Sequence, residues 1–471
     1  MPGITSYGVY IPYYRLNRAE ISKSWGTYQV PGEKAVANFD EDTITMGVEA
    51  CRDCLKSSEK ASVNGLFFAS TTFPYAEKQS SSLVAAVLDL DRTTRTADVS
   101  GTLRSASNAV LFGLDAVKSG RSKNTLICAS DLRLGLPNGS KELEFGDGAA
   151  AVLIGDSGVI ATIDNSYTFN NEIFDVYRPS VERFVRSWED RFVREMGYAK
   201  IVLESVRAAL SEFKLGPQDF AKAVFYSPNP GYLAGVAKQL GFEIKTQAVD
   251  PIWGMVGNLG SAHCLVLLAA ALEESKPGDK LLWVTYGDGC DVMALTVTDR
   301  IVEAQKKQSV RKMIASKGLT TYSKYLRWRD LISTEPPMRP RAEPVSAAAL
   351  NRDRKCGLAL YGSKCNKCGT VQYPVQRICM DCRTKDDFQY HPFADKTGTI
   401  ATFSHDNLAV SPDPPTTLAA VDFEHGGRIM MDVTDRDPAE IKIGLPLEMT
   451  FRKFRFTEGI QVYWWKSRPI R

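Results

Sequence analysis

Four cysteines constrain this chain more tightly than any other feature. Cys365, Cys368, Cys379 and Cys382 lie in CNKCGTVQYPVQRICMDC with C-x2-C-x10-C-x2-C spacing. Two knuckles of this kind bring four thiolates around one tetrahedral Zn2+. A segment this short cannot hold itself by a core, so the metal must supply the cross-link. All four ligands come from protein, which makes the site structural and leaves no position open for chemistry. A redox dithiol is the alternative for a single C-x2-C, but paired knuckles fit zinc better. Cys356 lies nearby, outside the spacing. The expected ribbon spans residues 356–390.

Strand-like alternation follows in residues 398–410, 416–435 and 447–467, with turn signals HGG at 425–427 and TEG at 457–459. Several short strands in so few residues suggest a small barrel of the OB-fold kind over residues 391–471. Upstream, residues 332–346 are proline-rich and cannot form a regular helix or a central strand. Residues 301–330 hold eight Lys/Arg against two acids. A solvated helical face is one reading of that excess, and a contact for cofactor phosphates or a partner is the other. Together, residues 301–355 read as a basic helical and Pro-rich linker.

Residues 1–300 alternate between two patterns. Apolar runs at 64–71, 124–130, 149–155 and 280–287 read as buried strands. Amphipathic stretches at 41–58 and 198–213 read as helices. Such alternation argues for α/β layering. The pattern occurs twice, with a break in residues 164–195, where no clean period survives. This gives an N-terminal half, 1–165, and a C-terminal half, 166–300.

Composition narrows the function. Lys+Arg is 58 against 55 Asp+Glu in 471 residues, a net charge of +3. A dedicated nucleic-acid binder would carry a strong basic excess. The longest apolar run, residues 264–272, is half of what a membrane span requires. The first residues lack the basic and apolar regions of a signal peptide. A cytoplasmic protein with reduced thiols is expected, in which Cys51, Cys54, Cys128 and Cys264 are small buried hydrophobes.

Five segments, at residues 73–82, 97–120, 129–155, 224–242 and 257–289, occur in the order found in the thiolase superfamily. The first 300 residues most closely resemble its 3-hydroxy-3-methylglutaryl-CoA synthase-like branch. Residues 356–471 resemble the zinc-ribbon and OB-fold domain that accompanies acyl-CoA-handling members. The resemblance implies a five-layered fold of two similar α/β halves and a homodimer. It also implies an active site where the halves meet, reached by the pantetheine arm of a CoA thioester.

The reactive positions depart from that family. Its acyl-enzyme members need a cysteine at a helix start, where the dipole and nearby donors lower the thiol pKa. In ADVSGTLRSASNA that position aligns with Leu103, and no cysteine lies between Cys54 and Cys128. The family's acidic residue aligns with Thr71. Its histidine aligns with Tyr226 in FYSPN. The asparagine of the GN turn remains, as Asn258. Ping-pong acyl transfer through this pocket becomes improbable.

A retro-aldol or aldol reaction on a β-hydroxyacyl-CoA needs no nucleophilic cysteine. It needs a base and an oxyanion hole. The resemblance places those oxyanion donors at the backbone near Leu103 and in the turn 287–289. Some thiolase-fold aldolases of steroid side-chain breakdown use tyrosines and associate with a zinc-ribbon/OB-fold partner, so a second metabolic subunit is a further expectation. Candidate catalytic residues are Tyr226 as acid/base, Asn258 as orienter and His263 as base. His263 as a satisfied core histidine is the alternative. Candidate substrate-binding residues are Leu103, Tyr286, Gly287 and Gly289. Cys290 is a candidate for a displaced nucleophile, Asp147 reads as structural, and His391, His405 and His425 read as surface groups. Two other functions compete: a Claisen-type acyltransferase with an unrecognised nucleophile, and a non-catalytic acyl-CoA-binding scaffold.

Overall fold

Strands whose residues are apolar on both faces must be covered on both faces, and the long sheet of this protein is. In the computed structural model, which describes residues 1–56, 58–335, 345–424 and 426–471, nine strands form one sheet. They are β1 (Gly3–Tyr10), β2 (Val63–Ala69), β3 (Arg95–Val99), β4 (Asn124–Asp131), β5 (Gly148–Gly155), β6 (Ala161–Asn170), β7 (Lys222–Phe225), β8 (Lys280–Tyr286) and β9 (Gly289–Val297). Their spatial order is β7-β8-β9-β6-β1-β5-β4-β2-β3.

The order contains a repeat. From β1 outward, β5 and β4 pair antiparallel, then β2 and β3 add in parallel. From β6 outward, β9 and β8 pair antiparallel, then β7 adds in parallel. The place of a fifth strand in the second half is marked by one parallel bridge, Ala223 to Ala248. The halves join through two pairs, Gly3 with Thr162 and Ile4 with Ala161.

Each half supplies a central helix before its middle strand: α1 (Ser105–Lys118) before β4, and α4 (His263–Glu273) before β8. Two more helices, α2 (Lys200–Phe213) and α3 (Pro230–Gln239), flank the second half. Helix α4 is apolar nearly all round, as a helix without a solvent face must be. Nine of its eleven residues are buried. Ala106, Ala109 and Val110 of α1 share one core with Leu265 and Leu268 of α4 and Trp283 of β8. The expected α/β fold of two similar halves is thus present. Cys51, Cys54, Cys128 and Cys264 are buried, as expected.

The chain divides into two compact units. One comprises Met1–Ala37 and Met46–Thr321, the other Asn38–Thr45 and Tyr322–Arg471. The segment 301–355 is therefore not a single linker. Residues 301–321 belong to the first unit, where Ile301 and Val310 are core residues and Lys307 donates to the carbonyl of Tyr7 at 2.6 Å. Part of the proline-rich run, residues 336–344, lies outside the described residues.

The second unit holds a three-stranded ribbon, β10 (Tyr361–Cys365), β11 (Val371–Gln372) and β12 (Phe388–Pro392). Five antiparallel strands follow: β13 (Thr397–Asp406), β14 (Thr416–Phe423), β15 (Arg428–Asp432), β16 (Pro446–Thr457) and β17 (Ile460–Pro469). Their order is β15-β14-β13-β16-β17, and a bridge from Val433 to Ser467 links the two edges. The TEG turn joins β16 to β17 with Glu458 and Gly459 both at positive φ, the primed geometry of a tight hairpin.

One cluster in this unit had no signal in the sequence. Arg452 is fully buried and faces Asp435 at 2.5 Å, Glu41 at 2.9 Å and Asp40 at 3.2 Å. Lys466 adds a second cation 3.0 Å from Asp40. The short segment 38–45, far away in sequence, is thus built into the second unit by charge.

Candidate active site

The turn between β8 and β9 meets the start of α1. Gly287 is required there by proximity: a Cβ would lie 3.0 Å from the Cβ of Leu103 and 3.1 Å from the backbone nitrogens of Leu103 and Arg104. Arg104 fastens the two elements. Its Nε donates to the Gly287 carbonyl at 2.8 Å, Nη2 to the Asp288 carbonyl at 3.2 Å, and Nη1 to buried Asp291 at 3.0 Å. Thr102 adds a hydroxyl bond of 3.1 Å to the Gly287 carbonyl.

Against this junction lies a cavity of about 210 Å³, whose wall includes Thr71, Leu103, Arg133, Asp175, Arg178 and Asp288. Leu103 thus stands on the wall where the resemblance expects a thiol. Its backbone N–H has no acceptor among the described residues. The Gly287 N–H is already used, donating to the Gly289 carbonyl at 3.0 Å. Of the two expected oxyanion donors, the one at Leu103 remains open. Gly289 does not line this cavity, and its lack of a side chain serves the sheet: a Cβ would lie 2.1 Å from the Phe169 carbonyl of β6.

Thr71 cannot replace a carboxylate. Its N–H and hydroxyl both donate to Asp131, at 2.7 and 3.0 Å. Asp131 is fully buried, and its other oxygen accepts from the Ser261 N–H at 2.7 Å.

Tyr226, Asn258 and His263 gather at a second place, beside the cavity's wall rather than on it. The Asn258 amide donates to the Tyr226 hydroxyl and to the Pro228 carbonyl, both at 3.2 Å. The Asn258 side-chain Oδ1 accepts from the Gly260 N–H at 3.0 Å. Burial pushes the Tyr226 phenol up to about 12, against the opposing pull of Arg133 and Asn258. It stays protonated at neutral pH and can act as a donor, not a base.

His263 corrects the expectation of a free base. Its Nδ1 accepts from the Leu259 N–H at 3.2 Å, and its Nε2 lies 3.1 Å from the Pro251 carbonyl. That pair of partners requires the neutral Nε2–H tautomer and occupies both nitrogens. Burial brings the imidazole down to about 4. Its ring packs edge-on to Tyr226 with centroids 5.8 Å apart.

Tyr286 sits below the cavity, fully buried, and donates to Asp175 Oδ2 at 2.6 Å. Cys290 is no displaced nucleophile: it is fully buried, and burial followed by the charge of Asp291 raises its thiol. Asp147 is structural, accepting from the Ala37 N–H at 2.8 Å. His405 contacts the Thr417 hydroxyl at 3.0 Å, His391 packs 5.2 Å from the Phe393 ring, and His425 lies outside the described residues.

Sequence reasoning missed Asp175, Arg104, Arg133 and Arg178. Asp175 and Arg178 lie in the aperiodic stretch 164–195, and that irregularity was their one signal. The same stretch lines a neighbouring cavity of about 430 Å³, which shares Val176 and Val185 with the first and adds Trp188, Asp190 and Tyr232.

In the second unit the four ribbon cysteines converge. The sulfurs of Cys365 and Cys382 are 3.6 Å apart, those of Cys368 and Cys379 are 3.5 Å apart, and all four lie within 4.8 Å of one another. Zn–S bonds of about 2.3 Å in a tetrahedron set sulfurs roughly 3.8 Å apart, so the donor set fits zinc. The bound ion would tie β10 to the loop before β12.

Two half-sheets around paired central helices define a thiolase-like fold, extended by a zinc ribbon and an OB-fold. Residues 358–387 match the family described as "ChsH2, rubredoxin-like zinc ribbon domain", and residues 391–452 that described as "ChsH2, C-terminal OB-fold domain". The chain is 33% identical over 343 residues to the hydroxymethylglutaryl-CoA synthase of Caldivirga maquilingensis, covering 70% of this chain and 98% of that one. It is 32% identical over 335 residues to the synthase of Pyrococcus horikoshii, covering 69% and 95%. A crystal structure of "HMG_CoA synthase complexed with CoA" shares the fold with a TM-score of 0.64 at 17% identity, covering 69% of this chain and 89% of that one. The chain belongs to the hydroxymethylglutaryl-CoA synthase family. Among the described residues, no helix is long and apolar enough to cross a membrane.

Proposed function

We propose that this protein makes or breaks a carbon–carbon bond in a CoA thioester without an acyl-enzyme intermediate, as an aldolase acting on a β-hydroxyacyl-CoA. The observation that carries this reading is Leu103. An unreactive side chain stands on the cavity wall where the resemblance places the nucleophile, and the backbone N–H of the same residue has no acceptor among the described residues. Such an N–H can stabilise a thioester enolate whatever its side chain is. A CoA thioester as substrate is supported by the relatives' names and by the CoA in the neighbouring solved structure. Hydroxymethylglutaryl-CoA is itself a β-hydroxyacyl-CoA, so bond formation or cleavage next to its hydroxyl is aldol chemistry. Tyr226 and Asn258 keep a supporting role, holding the loop after β7 beside Arg133.

The relatives favour a second reading, a Claisen-type acyltransferase of the synthase kind. That reading requires a nucleophile other than residue 103. Intact-protein mass spectrometry after incubation with acetyl-CoA separates the two. The aldolase reading expects no covalent acyl group on the wild-type chain and an acyl adduct only in Leu103→Cys. A stable adduct on the wild-type chain would establish the acyltransferase instead. Cleavage of 3-hydroxy-3-methylglutaryl-CoA to a ketone and an acyl-CoA, followed by chromatography, tests the aldolase directly.

A further inference from the structure

The aldolase reading needs a base on the cavity wall, and none of the residues singled out from the sequence supplies one. His263 has no free nitrogen, Tyr226 is a buried phenol, and Thr71 gives its hydroxyl to Asp131. Two carboxylates line the cavity, Asp175 and Asp288. Asp288 is exposed to solvent. Asp175 is 6% exposed, yet it forms part of the wall together with Leu103.

We infer that Asp175 is the proton-transferring residue of this site and that Tyr286 is its positioning residue. This rests on the aldolase reading and deepens it. Asp175 Oδ2 takes the Tyr286 hydroxyl at 2.6 Å and Oδ1 takes the Val176 N–H, with the residue's own N–H also directed at the carboxylate. A carboxylate oxygen has more than one acceptor site, so both bonds can stay while a substrate hydroxyl approaches. Tyr286 is itself held by burial and by the Tyr198 ring, with centroids 5.3 Å apart. Burial raises the carboxyl above its ordinary value despite the opposing bonds from Tyr286 and Val176. That moves it in the direction a general base near neutral pH requires.

The step balances with the substrate alone. Asp175 takes the proton of the β-hydroxyl, and the O–H electron pair becomes the new C=O at Cβ. The Cα–Cβ bond breaks, and its electrons pass into the thioester as an enolate facing the Leu103 N–H. The ketone or aldehyde leaves. Protonated Asp175 then returns its proton to Cα, which restores the thioester carbonyl and the carboxylate.

The return step can be read in reverse on a simple probe, acetyl-CoA in D2O, where a base on the wall exchanges the methyl protons. Mass spectrometry of the recovered thioester follows the exchange. The wild-type chain should incorporate deuterium, and Asp175→Asn should lose the rate by about a hundredfold or more. Its acetyl-CoA affinity by calorimetry should stay within about twofold. Asp175→Ala should regain exchange on addition of sodium formate, which a purely structural aspartate would not allow. Tyr286→Phe removes a bond that favours the charged carboxylate, so the acid limb of its pH–rate profile should move to higher pH. The groups facing that carboxylate are Tyr286, Asp288 and Tyr226, with Arg133 and Arg178 on the same wall. Exchange by Asp175→Asn within about threefold of wild type, or no formate rescue in an Asp175→Ala protein that still binds acetyl-CoA, overturns the assignment and leaves the aldolase reading standing. A wild-type chain that neither exchanges acetyl-CoA nor cleaves 3-hydroxy-3-methylglutaryl-CoA removes both.

Discussion

His263 offers a test that needs no substrate. Protonating the ring would turn Nδ1 into a donor facing the Leu259 N–H, donor against donor, in a buried place. The folded imidazole therefore sits at about 4, below its unfolded value near 6.5. A histidine depressed in this way stabilises the fold while neutral. The contribution is complete above pH 6.5 and is lost as pH falls toward 4, because the unfolded chain binds the proton more readily. At 1.36 kcal/mol per pKa unit, the full loss is about 3 kcal/mol, most of it reached by pH 4.5. A cooperative unit of about 300 residues moves by roughly 1.5 °C per kcal/mol, so the loss amounts to about 4 °C. The assay compares the melting of wild type and His263→Gln, whose amide can accept and donate in the same places. Near pH 7.5 the variant melts lower. The gap should close by about 4 °C at pH 4.5. Asp40 does not confuse this window: against the cost of its burial, Lys466 and Arg452 hold its carboxyl below the ordinary value, so its contribution is lost at more acid pH. A gap that stays constant from pH 7.5 to 4.5, or a ring that titrates near 6.5 by NMR, refutes the reasoning.

Three further outcomes are expected. Arg452→Met leaves Asp435, Asp40 and Glu41 buried around an apolar chain; a loss of about 3–5 kcal/mol is expected from urea unfolding of the second unit. Elemental analysis should find one zinc per chain, and Cys379→Ser should abolish it and lower the second unit's melting temperature. Arg104→Met should strand buried Asp291 and release the turn after β8, with a destabilisation of similar size seen in thermal melts and a loss of acetyl-CoA binding by calorimetry.

Much of this architecture was legible in the residues. Strands β2, β4, β5 and β8 are apolar runs buried on both faces, which local pattern reports directly. The cysteine spacing is a local fact too, and its geometry follows from metal coordination. What stayed hidden depends on contacts distant in sequence. Asp40 and Glu41 precede the helix Thr43–Leu55 and look like acids at a helix N-terminus; their partner Arg452 is 412 residues from Asp40. Asp175 has no periodicity around it, and its hydrogen-bond partner Tyr286 is 111 residues on. His263 shows the opposite error: rarity made it conspicuous, while its backbone partners make it part of the frame.

The acidic strap 38–45 has a consequence for anyone who wishes to cut this protein apart. The second unit is not a cassette at the end of a string. A fragment begun at Tyr322 would carry a guanidinium and an ammonium sealed in its interior with two of their counter-carboxylates, Asp40 and Glu41, left behind on the other piece. The zinc ribbon and barrel would need those eight residues supplied from elsewhere, covalently or as a peptide. In this chain, a cut in sequence and a boundary in the fold do not coincide.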